Sequence, residues 1–423
     1  MHSTLGKYHL LFSLIKDIFT PKLFLSMQRT SQLLDKLEMP LTIEMTQKSR
    51  ELAAQGHNVI SLSLGEPDFD TPEFIKEAAK VGIDQNFSHY MPVPGYVDVR
   101  EAICKKFKRD NNISYSPNQI VVSTGAKQSL ANVVLSLIDA GDEVIIPAPY
   151  WVSYIEQVKI AGGEAVVIPT TMENDFKITP RQLKEAMTAK SRMMIFSSPN
   201  NPSGAMYSEQ ELRALAEVIA TKKDFYIVSD EIYELIRYDQ EHFSLASIPE
   251  IYDQVITVNG LSKGFAMTGW RLGYIGAPVW IAKACDKMQS QFTSGACSIA
   301  QRAAIAAVEA QPEQVGYMLT KFKERRDVML KLLNAIPGFH VNTPPGAFYA
   351  FVEVTGALGK AFNGNKINSS LDLSMYILNH AHVSSVPGEA FGLDGYIRFS
   401  YAASLEDLIE AGRRIDEAIK KMS

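Results

Sequence analysis

Val255-Ile-Thr-Val-Asn-Gly260-Leu-Ser-Lys263-Gly-Phe-Ala-Met-Thr-Gly-Trp-Arg271-Leu-Gly273 is the stretch on which the fold turns. Its first four residues are apolar or β-branched and spell a short buried strand. Asn259 and Gly260 end that strand, and the turn delivers Ser262 and Lys263, with a second cation, Arg271, eight positions on. An ammonium at the exit of a buried strand loses hydration unless it is paired or neutral. Lys263 is therefore a chemical candidate. Two chemistries use such a lysine: holding a phosphate as a point charge, or attacking a carbonyl as an amine. The first usually comes with a G-x-x-x-x-G-K loop, which the chain lacks. Small residues before Lys263 and Arg271 after it suit the second, with the arginine clamping a phosphate on the same ligand. A solvated lysine after a strand is the plain alternative.

The same grammar repeats outward from this stretch. Ile120 to Thr124, Val144 to Tyr154, Ala165 to Pro169, Met193 to Pro199, Phe225 to Asp230 and Leu272 to Ala277 each read as a short buried strand, most separated by helix-length segments. Near-continuous apolar strands interleaved with helices predict an α/β fold, a mainly parallel mixed sheet covered by helices on both faces. The polar candidates fall at the carboxyl ends of these strands, where open α/β sheets bind ligands. Thr71-Pro72 with Glu73 and Glu77 reads as a helix cap and first turn. Residues 305–336 read as one long helix holding the domain boundary, with a solvated charged face over Lys321 to Arg326. Beyond it, Pro337-Gly-Phe-His-Val341, Ala347 to Val352 and Tyr396 to Tyr401 read as strands of a smaller α+β domain that the segment before Pro72, with a strand over Val59 to Leu64, completes. The domains expected are thus 73–320, large, and 31–72 with 321–423, small.

Composition narrows the function. A chain of 423 residues suits two domains and a sizeable core, and 46% hydrophobic with 21% charged residues reads as globular. The net charge, 42 − 47 = −5, gives no sign of a nucleic-acid partner. Cys104, Cys285 and Cys297 are scattered without C-x-x-C or His pairing, which indicates neither a disulfide framework nor a zinc site, and a reducing cytoplasm is the simplest home. Residues 1–30 carry four basic residues and one acid and read as an extension with little structure, Met27 being a more natural start; a weak amphipathic membrane or partner helix is the alternative. No stretch elsewhere reaches the ~20 apolar residues of a membrane span. No G-x-G-x-x-G follows a strand, which argues against a nicotinamide dehydrogenase.

Gly260-Leu-Ser-Lys263 followed by Arg271-Leu-Gly273 resembles the cofactor-attachment segment of the class I, fold type I aminotransferases, which use pyridoxal 5'-phosphate. Matching motifs run in the family's order from about residue 40 to about residue 403, and the likeness is greatest to the bacterial aspartate branch. The resemblance implies an aminotransferase moving the amino group of L-aspartate to 2-oxoglutarate, giving oxaloacetate and L-glutamate, through a ping-pong cycle and a Schiff base at Lys263. Aromatic, prephenate or alanine aminotransferases are the alternatives within the class. A homodimer with shared sites is implied, its partners being amino acids and 2-oxo acids.

Residue by residue, the resemblance assigns Asp230 to the cofactor's ring nitrogen and Tyr233 and Asn201 to its phenolic oxygen. Because Asp230 and Tyr233 are three apart, the chain must turn directly after Asp230. Trp151 is implied as the aromatic lid, and Arg271, Ser262 and the backbone of Gly125, Ala126 and Lys127 as the phosphate cradle. Tyr90, in the loop Ser88-His-Tyr-Met-Pro-Val-Pro-Gly95, is implied to bond the phosphate in the neighbouring subunit. For the substrate, Arg398 is implied to take the α-carboxylate, Lys127 with Thr42 the second carboxylate, and Gly65 to lie alongside.

Overall fold

The computed structural model describes residues 30–39 and 41–423; apart from Thr30, the extension expected over residues 1–30 lies outside the described residues. A 3₁₀ turn occupies Leu34–Lys36, and the chain from Met39 onward forms one compact unit. In chain order its strands are β1 (Ile60–Ser61), β2 (Ile120–Ser123), β3 (Glu143–Ala148), β4 (Glu164–Pro169), β5 (Ser191–Ser197), β6 (Tyr226–Asp230), β7 (Val255–Gly260), β8 (Gly273–Gly276), β9 (Tyr349–Glu353), β10 (Ala361–Phe362), β11 (Asn365–Lys366), β12 (Val383–Ser384), β13 (Val386–Pro387) and β14 (Tyr396–Ser400).

A seven-stranded sheet runs in the order β2-β8-β7-β6-β5-β3-β4. Every neighbouring pair is parallel except those of β8, which is antiparallel to both β2 and β7. This reversal matters for the site. Because β8 runs backwards, its first residue, Gly273, lies level with Ser123 at the end of β2 and Gly260 at the end of β7. Lys263, just after β7, and Arg271, just before β8, are thus brought to one edge.

Alternation along the strands explains why they read as continuous apolar runs. Ile120, Val122, Ile145 and Ile227 belong to one buried cluster, whereas Val121, Val144, Ile146 and Val228 belong to another. With a period of two, alternate residues point to opposite faces, so both faces are buried. Helix α1 (Leu41–Ala54) precedes β1, and α2 (Glu73–Asp84), α3 (Val97–Asn111) and α4 (Ala126–Leu137) follow. Ile103 and Phe107 of α3 pack on the first face, and Leu130, Val133 and Val134 of α4 on the second. A three-stranded antiparallel sheet, β13-β14-β9, carries Arg398 opposite Val386 and Phe351, while β1 pairs in parallel with β12.

Several local expectations are corrected. The run from Val144 stops as a strand at Ala148, and Ser153–Ala161 is a helix. The helix expected over 305–336 is broken into Ser298–Glu309 and Gly316–Asn334, because Pro312 lacks a backbone donor and restricts the residue before it. Its charged face is only partly solvated: Arg325 is buried against Asp68 at 2.6 and 2.8 Å, and Arg326 against Asp239 at 3.0 Å. Pro337 to Val341 contributes only a bridge from His340 to Glu353, since Gly338, at φ 87°, turns the chain tightly against Gly356. The strand expected over Val59 to Leu64 shrinks to Ile60–Ser61. Thr71 does not cap α2; its hydroxyl donates to Ala266 O at 2.7 Å and accepts from Trp270 Nε1 at 3.0 Å, tying the entrance of α2 to the segment after Lys263.

Candidate active site

The edge where β2, β6 and β7 end borders a cavity of about 700 Å³ that also reaches α1 and β14. Thr42, Gly65, Ala126, Lys127, Trp151, Asn201, Asp230, Tyr233, Ser262, Lys263, Arg271 and Arg398 all line it. Gly125 sits one residue outside this wall as the N-cap of α4. Tyr90 is not brought in: it is fully exposed and absent from the lining of its own chain's cavity.

Inside the cavity Lys263 Nζ donates to the carbonyl oxygen of Gly65 at 2.5 Å. Burial pushes the ammonium down to about 8, against the pull of Glu66, with Arg398 and Arg271 adding to the depression. The ammonium still predominates near neutral pH, but the share of free amine is far larger than in an ordinary lysine. Asp230, the last residue of β6, accepts from Tyr154 Oη at 2.7 Å and from the amide of Ile232 at 3.2 Å as the chain turns. Burial pushes its carboxyl up to about 6, and the Tyr154 hydroxyl only partly opposes this. Two donors do not neutralise a buried carboxylate; a third group carrying a proton would.

On the neighbouring wall a glycine pair sets an anion cradle. Gly125 has φ 83°, and a Cβ on it would collide with the Arg271 guanidinium; a Cβ on Gly273 would collide with the amide of Ala126. Without those atoms the free N–H groups at the start of α4 and the Arg271 fork converge. Arg271 is itself held by donation to Thr268 O at 2.8 Å. Lys127, next in α4, lies 5.0 Å from the Trp151 ring centroid, and burial lowers its pKa, with the Arg271 charge second.

Arg398 donates to Asn201 Oδ1 at 2.9 Å and to Ser63 O at 2.5 Å, and stacks 4.6 Å from Tyr349 and 5.0 Å from Phe391. Its Nε is buried without a partner. A buried guanidinium with neutral acceptors only is short of an anion. With Oδ1 turned to Arg398, the amide nitrogen of Asn201 is the atom left to donate into the cavity. The Tyr233 and Tyr349 hydroxyls bond each other at 2.7 Å, and burial holds the Tyr233 phenol protonated, far above its ordinary range.

Tyr154 and Tyr349, which line the cavity and bond Asp230 and Tyr233, are contacts that sequence reasoning missed. Tyr154 was hidden in a run read as strand, although it follows Trp151 by three, one helical turn on. Tyr349 lies in the run Ala347 to Val352, where an aromatic reads as core. Thr46, Gln47 and Arg50 of α1 also line the cavity, and nothing local marks them.

A mixed α/β sheet with a buried amine, an under-paired carboxylate and Arg271 at its carboxyl edge, faced by Arg398 from the small sheet, suits an enzyme that transfers a group between anionic substrates. The family model for class I and II aminotransferases matches residues 57–415, and the chain belongs to that family. A Petunia hybrida protein named bifunctional aspartate aminotransferase and glutamate/aspartate-prephenate aminotransferase is 46% identical over 383 residues, 89% of this chain and 80% of its own. An aspartate/prephenate aminotransferase from Nitrosomonas europaea is 44% identical over 391 residues, 92% of this chain and 98% of its own. Among solved structures, the aspartate aminotransferase of Rhizobium meliloti superposes with a TM-score of 0.91 at 39% identity, covering 93% of this chain and 100% of its own. The Thermus thermophilus aspartate aminotransferase solved with maleate gives 0.87 at 38% identity, with the same coverage.

Proposed function

We propose that the protein is a pyridoxal 5'-phosphate-dependent aminotransferase that takes its amino group from L-aspartate and passes it to 2-oxoglutarate. The observation that carries this reading is the pairing of opposites across one cavity: Lys263, pushed towards the neutral amine that an aldehyde would meet, and Asp230, a buried carboxyl short of the cation that a protonated pyridine would supply. When bound, that cofactor supplies an aldehyde for amine exchange and a protonated ring that takes up negative charge.

The chain's own groups do the rest. Asp230, oriented by Tyr154, would hold the proton on the ring nitrogen. Tyr233 and Asn201 would donate to the phenolic oxygen, Arg271, Ser262 and the start of α4 would hold the phosphate, and Trp151 would cover the ring. Lys263 would hold the aldehyde at rest, and its free amine is the group placed to accept the proton from the substrate Cα. Arg398 takes the α-carboxylate as a planar fork, which the lone buried Nε supports. Lys127 with Thr42 takes the second carboxylate, beside Gly65. Arg398 comes from the small sheet and Lys263 from the large one, so substrate binding draws a smaller lobe onto a larger one. Tyr90, fully exposed in its own chain, serves the site of a second copy in a homodimer. Free cysteines at 104, 285 and 297 suit a reducing compartment such as the cytoplasm, and no described helix is long and apolar enough to cross a membrane.

The names of the Petunia and Nitrosomonas relatives favour prephenate as a second acceptor. The deciding experiment is a second-order rate panel over aspartate, alanine, phenylalanine and the prephenate couple, with Lys263→Ala alongside. Aspartate should lead, and Lys263→Ala should keep the cofactor yet lose more than about a thousandfold in turnover. Near-wild-type turnover in that variant overturns the assignment; a leading monocarboxylate overturns the substrate.

A further inference from the structure

We propose that Arg50 is a specificity-determining residue that receives the second carboxylate of dicarboxylates longer than aspartate. The inference rests on the aminotransferase reading of the cavity and adds to it a residue from α1. Thr42, Thr46 and Arg50 are four apart and share one face of that helix, and all three line the cavity. Along this stripe Thr46 is engaged, its hydroxyl donating to Thr42 O at 2.8 Å. Arg50 is not: its guanidinium, exposed at the cavity wall, has no hydrogen bond or ion pair among the described residues.

A charge count over the lining sharpens this. Arg50, Lys127, Lys263, Arg271 and Arg398 face the cavity against Asp230 as the acid among its lining residues. In the proposed reaction Lys263 is the working amine, Arg271 meets the phosphate, Arg398 the α-carboxylate and Lys127 the distal carboxylate of aspartate. One cation is left over. An unpaired arginine offers a planar fork of donors that matches a carboxylate, and because side chains on a helix lean towards its N-terminus, the long Arg50 side chain leans back along the stripe towards Thr46 and Thr42. A ping-pong enzyme must also seat at least one dicarboxylate longer than aspartate in this same space, because 2-oxoglutarate carries an extra methylene. Lys127 and Arg50, carried by different helices, divide the chain lengths between them.

The test is steady-state kinetics of the cofactor-loaded enzyme with alanine, aspartate, glutamate and 2-aminoadipate as donors, for wild type, Arg50→Gln and Arg50→Lys. Arg50→Gln should raise KM for 2-aminoadipate roughly fivefold, the worth of one partly exposed ion pair, with kcat unchanged. Glutamate should shift less, aspartate and alanine by under about twofold, and Arg50→Lys should recover part of the loss. An equal rise for aspartate and 2-aminoadipate means general steering and overturns the proposal, as does a flat response in an active enzyme. A wild type inactive on every donor overturns the aminotransferase reading itself.

Discussion

Asp230 and Glu234 stand four residues apart in one turn, both buried, and their acidities are driven in opposite directions. Burial lifts Asp230 to about 6, and its partners, Tyr154 and the Ile232 amide, are too few to bring it back. Burial also lifts Glu234, but the Lys106 ammonium in direct contact, helped by His242 and Asn111, drives it down to about 2. The next layer is equally closed: Glu231 accepts from Ser229 at 3.0 Å, from Ser244 at 2.7 and 2.9 Å, and meets His242 Nε2 at 3.0 Å. Behind the strand, then, charges are answered within the chain and hold the fold. In front of it they are left unanswered, and that shortfall is what a ligand fills.

The contrast breaks most visibly at Glu234. Glu234→Gln should destabilise the protein by about 2–4 kcal/mol at pH 7, because the buried Lys106 charge keeps only the neutral Asn111 oxygen at 2.7 Å and the more distant Asp110 carboxylate at 3.9 Å. Since Glu234's folded pKa lies below its ordinary 4.5, its contribution is whole above about pH 4.5 and is lost as pH falls towards 2. Chemical denaturation at pH 7 showing a change below about 1 kcal/mol would remove the structural role assigned to this pair.

Asp230 should behave in the reverse sense. Its folded pKa lies above its ordinary 3.8, so ionising it costs stability as pH rises from about 4 through 6, and the cost is complete by pH 8. Cofactor-free Asp230→Asn should therefore be more stable than cofactor-free wild type by about 1–3 kcal/mol at pH 8, with the gap closing below pH 4, while the cofactor-loaded variant loses its turnover. Melts of the two cofactor-free proteins across that range decide it; an asparagine variant less stable at pH 8 contradicts the picture. Tyr154→Phe is the finest probe. Losing that donor lifts Asp230 further, so in the cofactor-free protein the pH range over which its ionisation costs stability should move up by up to about one pH unit, worth about 1 kcal/mol. An unmoved range would show that Tyr154 does not tune the carboxylate.

Much of the fold was legible because strand and helix periods are local. The runs ending at Asp230 and beginning at Val255 each declared a buried strand; the first ends where expected, and the second continues past Val258 through Asn259 and Gly260. The turn demanded between Asp230 and Tyr233 is present. What misled was also local: the run from Val144 kept its apolar character past Ala148, and only Pro149 and the helix beginning at Ser153 reveal the break. Arg50 was invisible for the opposite reason, since a helical arginine has no local mark separating a solvated face from a cavity wall.

By itself the sequence determined the α/β alternation, the lysine after a buried strand, and the residue types a phosphate- and carboxylate-binding cavity needs, because each depends on neighbours within a few positions. Only the tertiary structure decided that β8 runs against β2 and β7, so that Arg271 returns beside Lys263. It alone decided that Tyr154 reaches Asp230 and that Lys106 reaches Glu234, and so which of two nearby carboxylates is left wanting. The physical reason is range: backbone periodicity is set along the chain, whereas the charge a buried group holds is set by whatever distant segments bring within a few ångströms of it.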